Sequence, residues 1–141
     1  MKNVMVFGAF DGVHEGHRYF LQRAKSLGAR LIVVVARDST IKKLKGRRPR
    51  FSLAARMAFV KKEGIAKRVV AGDRAEGSWN ILALHRPHII ALGYDQRELR
   101  NALETRKVLV RPFPKLVAIR AYRPHHYHSS ILLGRKFSKS V

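Results

Sequence analysis

The chain has 141 residues, and its 30 Lys and Arg against 9 Asp and Glu leave a net charge of +21. That length suits one domain with its own core, and so few carboxylates argue against a site built from clustered acids. The absence of cysteine excludes a disulfide framework and a thiolate zinc site, and the strand-sized apolar runs exclude a transmembrane helix.

Strand and helix patterns alternate along the chain. Val4 to Phe7 reads as a buried parallel strand. A helix from His17 to Leu27 carries Phe20, Leu21, Ala24 and Leu27 on one face and stops at Gly28. Leu31 to Ala36 is the second strand, rich in β-branched residues. The basic segment from Lys42 to Arg50 has no periodicity and reads as a loop. Ser52 caps a helix to about Lys62, with Gly64 beyond it. Arg68 to Ala71 is the third strand, and a short helix around Ile81 to Leu84 precedes Pro87. His88 to Leu92 is the fourth strand. A polar helix from Arg97 to Thr105 leads to a strand at Val108 to Val110, with Leu116 to Ile119 as an extra short strand. Ser129 or Ser130 caps a last helix, and 135–141 is a basic tail behind a domain of residues 1–134. Met1-Lys2-Asn3 enters the first strand without a signal-peptide pattern, so a cytoplasmic protein is expected.

This order predicts an α/β, Rossmann-like single domain: a five-stranded parallel sheet with helices on both faces. Ligands then bind beyond the carboxyl ends of the strands, where the strand order reverses. The chemistry-bearing stretches all fall there. Gly8-Ala9-Phe10-Asp11 turns into a helix that opens with His14, Gly16 and His17. Glycines admit an anion close to the backbone, and a helix N-terminus offers unpaired N–H groups. His14 and His17 face one ligand and would stabilise charge growing on a phosphate. Asp11 either orders the turn or lies near a nucleotide-bound magnesium ion. Among the basic residues at 42–50, Lys43 and Lys45 are the candidates to clamp a triphosphate. Arg56 is either a phosphate ligand or a surface residue. Gly93, Asp95 and Gln96 either contact ribose and base or form a cap. Arg123, Ser129 and Ser130 form a second phosphate grip, and His126 and His128 are candidates for an acceptor's phosphate. A metal cluster of His125, His126 and His128 is a further option.

The wording Gly8, Phe10, Asp11, His14, Gly16 and His17 resembles the Gly-x-Phe-Asp-x-x-His-x-Gly-His signature of HIGH-motif, cytidylyltransferase-like nucleotidyltransferases. From Val4 to about Leu133 the chain is similar to their small members, and most to archaeal-type FAD synthetases. The carriers are Val34 to Asp38, Thr40 to Gly46, and His88 to Gln96. Glycerol-3-phosphate cytidylyltransferases come second. The resemblance implies adenylyl transfer from ATP to FMN, with magnesium carried by the nucleotide, and a homodimer. Ala9 stands where the family has Thr or Ser, and His126 and His128 where FAD synthetases often carry cysteines. Lys136 to Ser140 is similar to the Lys-Met-Ser-Lys-Ser loop of class I aminoacyl-tRNA synthetases, a short match in a lysine-rich tail. The charge keeps a different class open, a basic nucleic-acid-binding protein without catalysis.

Overall fold

Five runs of β-branched and apolar residues assemble into one parallel sheet: β1 (Asn3–Gly8), β2 (Arg30–Val35), β3 (Arg68–Ala71), β4 (Ile89–Gly93) and β5 (Lys115–Ile119). Their order is β3-β2-β1-β4-β5. The computed structural model describes residues 2–74, 78–107 and 110–122. Side chains alternate across the sheet. Val4, Val6, Leu31, Val33 and Val35 pack on one face against Leu21, Ala24 and Val60, which belong to α1 (Glu15–Lys25) and α3 (Leu53–Lys62). Met5, Ile32, Val34, Ile90 and Leu92 pack on the other against Ile81, Leu82 and Leu103, from α4 (Asn80–His85) and α5 (Arg97–Thr105). Both faces are therefore covered, which is why the central strands read as unbroken apolar runs.

Two expectations are corrected. The segment after β2 is not a loop throughout, because Asp38–Lys45 forms a helix, α2. Asp38 sits in its first turn, Ile41 is its buried residue, and Gly46 ends it in the left-handed region at φ 73°. The lysines between these positions hide the helical pattern. The fifth strand is Lys115–Ile119, paired from Ile89↔Lys115 to Gly93↔Ile119, and not Val108 to Val110. Val110, the described end of that stretch, lies in a bend. Pro112 and Pro114 lack the N–H groups that a ladder needs, so pairing begins only after the second of them.

The order of strands reverses between β1 and β4. These two pair only at Val4↔Ile89 and Met5↔Ile90, so their carboxyl ends part. Gln96, which is buried, spans the gap. Its Nε2 donates to the Phe7 carbonyl at 2.8 Å, and its Oε1 accepts from the Gly93 N–H at 2.9 Å. Gln96→Leu should leave both backbone groups unmatched and cost about 1–3 kcal/mol. The midpoint of urea unfolding reads that loss.

Candidate active site

The turn after β1 is built around Phe10. Its φ is 52°, in the left-handed region, and its side chain is buried. A Cβ on Gly8 would come within 2.8 Å of the Phe10 ring, so glycine is required there. The ring packs on His17 with centroids 5.4 Å apart. Phe10 thus supports the imidazole from behind.

His14 caps α1. Its Nδ1 accepts from the Gly16 N–H at 3.0 Å, and His17 Nδ1 accepts from the His14 N–H at 3.3 Å. A neutral imidazole that accepts at Nδ1 carries its proton on Nε2. The capping pattern therefore sets the same tautomer in both rings, each with an Nε2–H donor. The rings lie 3.9 Å apart, centroid to centroid. Burial, aided by the charge of Arg18, lowers the His14 pKa below its ordinary 6.5. His14 is thus a neutral donor at pH 7. The folded chain binds protons at His14 less readily than the unfolded chain. Its contribution to stability is present above pH 6.5 and falls as acid takes the pH below that value. Tyr122, just past β5, donates to Glu15 Oε2 at 2.9 Å and brings the end of β5 to the start of α1.

Beside the turn lies a cavity of about 1040 Å³. It opens at the carboxyl ends of β1, β2 and β3, between α2, α4 and α5, and reaches Gly8 and Ala9. Phe7, Ile41, Leu44, Trp79, Ile81 and Leu99 make its walls mostly apolar. Lys45, Arg47, Arg37 and Arg97 supply positive charge, and Asp73, Asp95 and Glu98 negative charge. Lys45 lines the cavity, whereas Lys43 is exposed and is not part of its lining. Burial lowers the Lys45 pKa and Arg47 adds to this, while Asp11 and Asp95 oppose it. Burial raises the pKa of Asp95, against its own backbone hydrogen bond and the pull of Lys45. Asp95 Oδ2 is buried with no hydrogen-bond partner among the described residues. Arg37, Thr40, Asp73, Trp79 and Arg97 were not among the sequence candidates. Gly72-Asp73 follows a strand end, a signal that would have found Asp73.

Three candidates serve other ends. Asp11 accepts backbone N–H bonds from Arg50 at 2.7 Å and Phe51 at 2.9 Å. Of its two sequence readings, the ordering of the turn is the one its contacts satisfy. Arg56 is fully buried, not at the surface. It donates to the carbonyls of Phe51 (3.1 Å), Ala9 (3.0 Å) and Ala36 (2.6 Å) and to Asp38 Oδ1 (2.6 Å). These bonds take its guanidinium away from any ligand and tie the turn to β2, α2 and the loop at 50–51. Gln96 likewise spends its amide on the backbone. Arg123, His125, His126, His128, Ser129, Ser130 and Lys136 to Ser140 lie outside the described residues. Among the described residues, no group of three or more His, Cys, Asp or Glu gathers as a metal site. None of the described helices is long and apolar enough to cross a membrane.

A doubly wound sheet with a glycine turn and two Nε2–H donors at its switch point defines an α/β nucleotidyltransferase. The chain belongs to the cytidylyltransferase-like family, whose model matches residues 5–135. It is 43% identical to a FAD synthase from Thermococcus sibiricus over 101 residues, 72% of this chain and 68% of the relative. A FAD synthase from Pyrococcus horikoshii is 44% identical over 93 residues, and the match covers 63% of its length. One from Thermoplasma volcanium is 35% identical over 86% of this chain and 84% of its own. The chain thus spans about two thirds of the length of the first two relatives. Among solved structures, a lipopolysaccharide core biosynthesis protein from Thermoplasma volcanium GSS1 superposes with a TM-score of 0.74 at 35% identity, over 86% of this chain and 98% of the other. A pantothenate synthetase from Thermus thermophilus shares the fold alone, at 16% identity and a TM-score of 0.58, over 88% of this chain and 57% of its own.

Proposed function

We propose that the chain transfers AMP from ATP to FMN, forming FAD and releasing pyrophosphate. The observation that carries this reading is the apolar, tryptophan-walled cavity with a cationic rim, placed against the turn that holds His14 and His17. A flat aromatic ring with a phosphate matches such walls and such a rim. Glycerol 3-phosphate has no apolar body, and its binding would leave Leu44, Trp79 and Leu99 in water. The FAD synthase relatives agree with the cavity.

In this reading an FMN phosphate oxygen attacks the α-phosphorus of ATP in line. The new P–O bond forms as the bond to the β-phosphate oxygen breaks, and pyrophosphate departs with that electron pair. Nε2–H of His14 and His17 donate to the α-phosphate oxygens as charge grows on them. Lys45, with Arg47 at the same rim, neutralises the departing pyrophosphate. Asp95 and Gly93 lie on the ribose side. Magnesium carried by the triphosphate would lower its repulsion toward FMN. Asp11 has both oxygens committed to the backbone and is not its main ligand. Arg123, Ser129 and Ser130 would grip phosphate from the region beyond Tyr122, with His126 and His128 toward the acceptor. In this reading the unit is a transferase domain of residues 1–134 with a basic tail, acting as a homodimer in the cytoplasm.

The test is product analysis by chromatography with magnesium, crossing ATP and CTP against FMN and glycerol 3-phosphate. FAD from ATP and FMN is expected. CTP-dependent pyrophosphate release with glycerol 3-phosphate would keep the chemistry and replace the substrates. The cavity also separates two lysines that the sequence does not. Lys45→Ala should lower kcat/KM about 100-fold, whereas Lys43→Ala should stay within about threefold. Equal losses would mean that the whole basic segment acts as a diffuse field. Quenching of flavin fluorescence on binding, lost in Trp79→Leu, would place the ring in this cavity.

A further inference from the structure

The acids of the molecule are unevenly placed along the strands. Among the described residues, Asp11, Glu15, Asp38, Asp73, Asp95 and Glu98 all follow a strand or open a helix at the carboxyl end of the sheet. The acids on the return segments toward the amino end are Glu63 and Glu104, and both are already paired, with Arg18 at 2.8 Å and Lys107 at 3.5 Å. The amino end itself is cationic at every strand. Lys2 precedes β1, and its carbonyl accepts from Ala29 and Arg30, so the starts of β1 and β2 are locked together. Arg30 is the first residue of β2, Arg68 of β3 and Lys115 of β5. Lys67 donates its N–H to the Leu31 carbonyl at 2.8 Å, beside Arg30. Arg86 stands just before β4. All six of these side chains belong to exposed residues. Neighbouring strands lie about 4.8 Å apart, so the row runs about 19 Å across the sheet.

We propose that this amino edge binds the phosphate backbone of a single nucleic-acid strand, on the side of the molecule away from the active site. A row of separate cations follows a backbone and reads no bases. Of the exposed large apolar residues among those described, Leu44, Phe51 and Tyr94 belong to segments at the carboxyl end, and Leu84 lies two residues before Arg86. Among the described residues, the edge therefore lacks the aromatic platforms that stack bases and the apolar face that enters a membrane. Binding is sequence-independent and governed by salt.

The test titrates fluorescein-labelled oligouridylate of about 16 nucleotides, long enough for one site, into the full chain at several salt concentrations. Four to six neutralised phosphates give a slope of log K against log salt of about −3 to −4. Replacement of Lys2, Lys67, Arg68 and Lys115 by Gln should weaken binding at least tenfold and bring the slope near −1, with FAD formation and circular dichroism unchanged. A control variant with Gln at Lys42, Arg48, Arg100 and Arg120 loses the same charge away from the edge and should bind as the parent does. Equal losses in the two variants would overturn the proposal in favour of a diffuse field. So would the absence of binding by the parent chain, or binding only to vesicles of anionic lipid.

Discussion

His14→Ala is expected to lose about 100- to 1000-fold in kcat, the usual cost of removing one donor aimed at developing charge. The KM for ATP should change far less, because the donor acts mainly on the charge of the transition state. The substitution also removes the cap of α1, which costs about 0.5–2 kcal/mol of stability. His14→Asn separates the two effects. Its side-chain oxygen can still accept from the Gly16 N–H, but it lacks the reach of Nε2. Thermal stability should recover in this variant and the rate should not. A variant that recovers both would show that His14 acts only as a cap. The pH dependence carries the same logic. The His14 pKa is lowered below 6.5, so the neutral donor persists through neutral pH. The His14-dependent fall in kcat on the acid side should begin below pH 6.5, with a plateau above it.

Arg56→Met is expected to cost about 3–5 kcal/mol, the range for breaking a buried charged network by removing one partner. For a chain of this length that is a fall of about 10–20 °C in Tm. The larger share lies with the carbonyls of Ala9, Ala36 and Phe51, which the guanidinium satisfies together. The side chain of Asp38 is 55% exposed and can turn to water. Asp38→Asn should therefore cost about 1 kcal/mol or less. Arg56→Lys should behave like Arg56→Met, because one ammonium cannot span four acceptors in a planar fork. What folded Arg56→Met remains should turn over slowly, since the turn below His14 and the start of α2 have lost their common anchor. A small stability loss with normal kinetics would mean that Asp11 alone holds these segments through Arg50 and Phe51.

The contrast between His14 and Arg56 shows where sequence reading works. The histidine pair, the glycine turn and the cap lie within ten residues of one another. Their meaning depends on one helical turn and on the dipole at its start, which are local properties. The alternation of Val4, Met5 and Val6 carries the same kind of information, and so does Ser52 before α3. Lys43 and Lys45 differ by two places in a helix, hence by about 200° around its axis. A segment taken for a loop hides that difference. Gln96 reads as a cap or base ligand in the chain, and only the parting of β1 and β4 makes it a bridge.

The class of fold, the parallel sheet, the nucleotidyltransferase signature and the place of the histidine pair at the start of α1 are legible in the chain alone, because periodicity, turns and capping act over a few neighbouring residues. Tertiary structure alone decided that Lys45 and not Lys43 faces the cavity. It also decided that Arg56 is an anchor, that Trp79 and Leu99 wall one chamber, and that the cations of five separate strands form a row. Each of these depends on which distant segments the strand order β3-β2-β1-β4-β5 brings side by side, and no local pattern encodes that proximity.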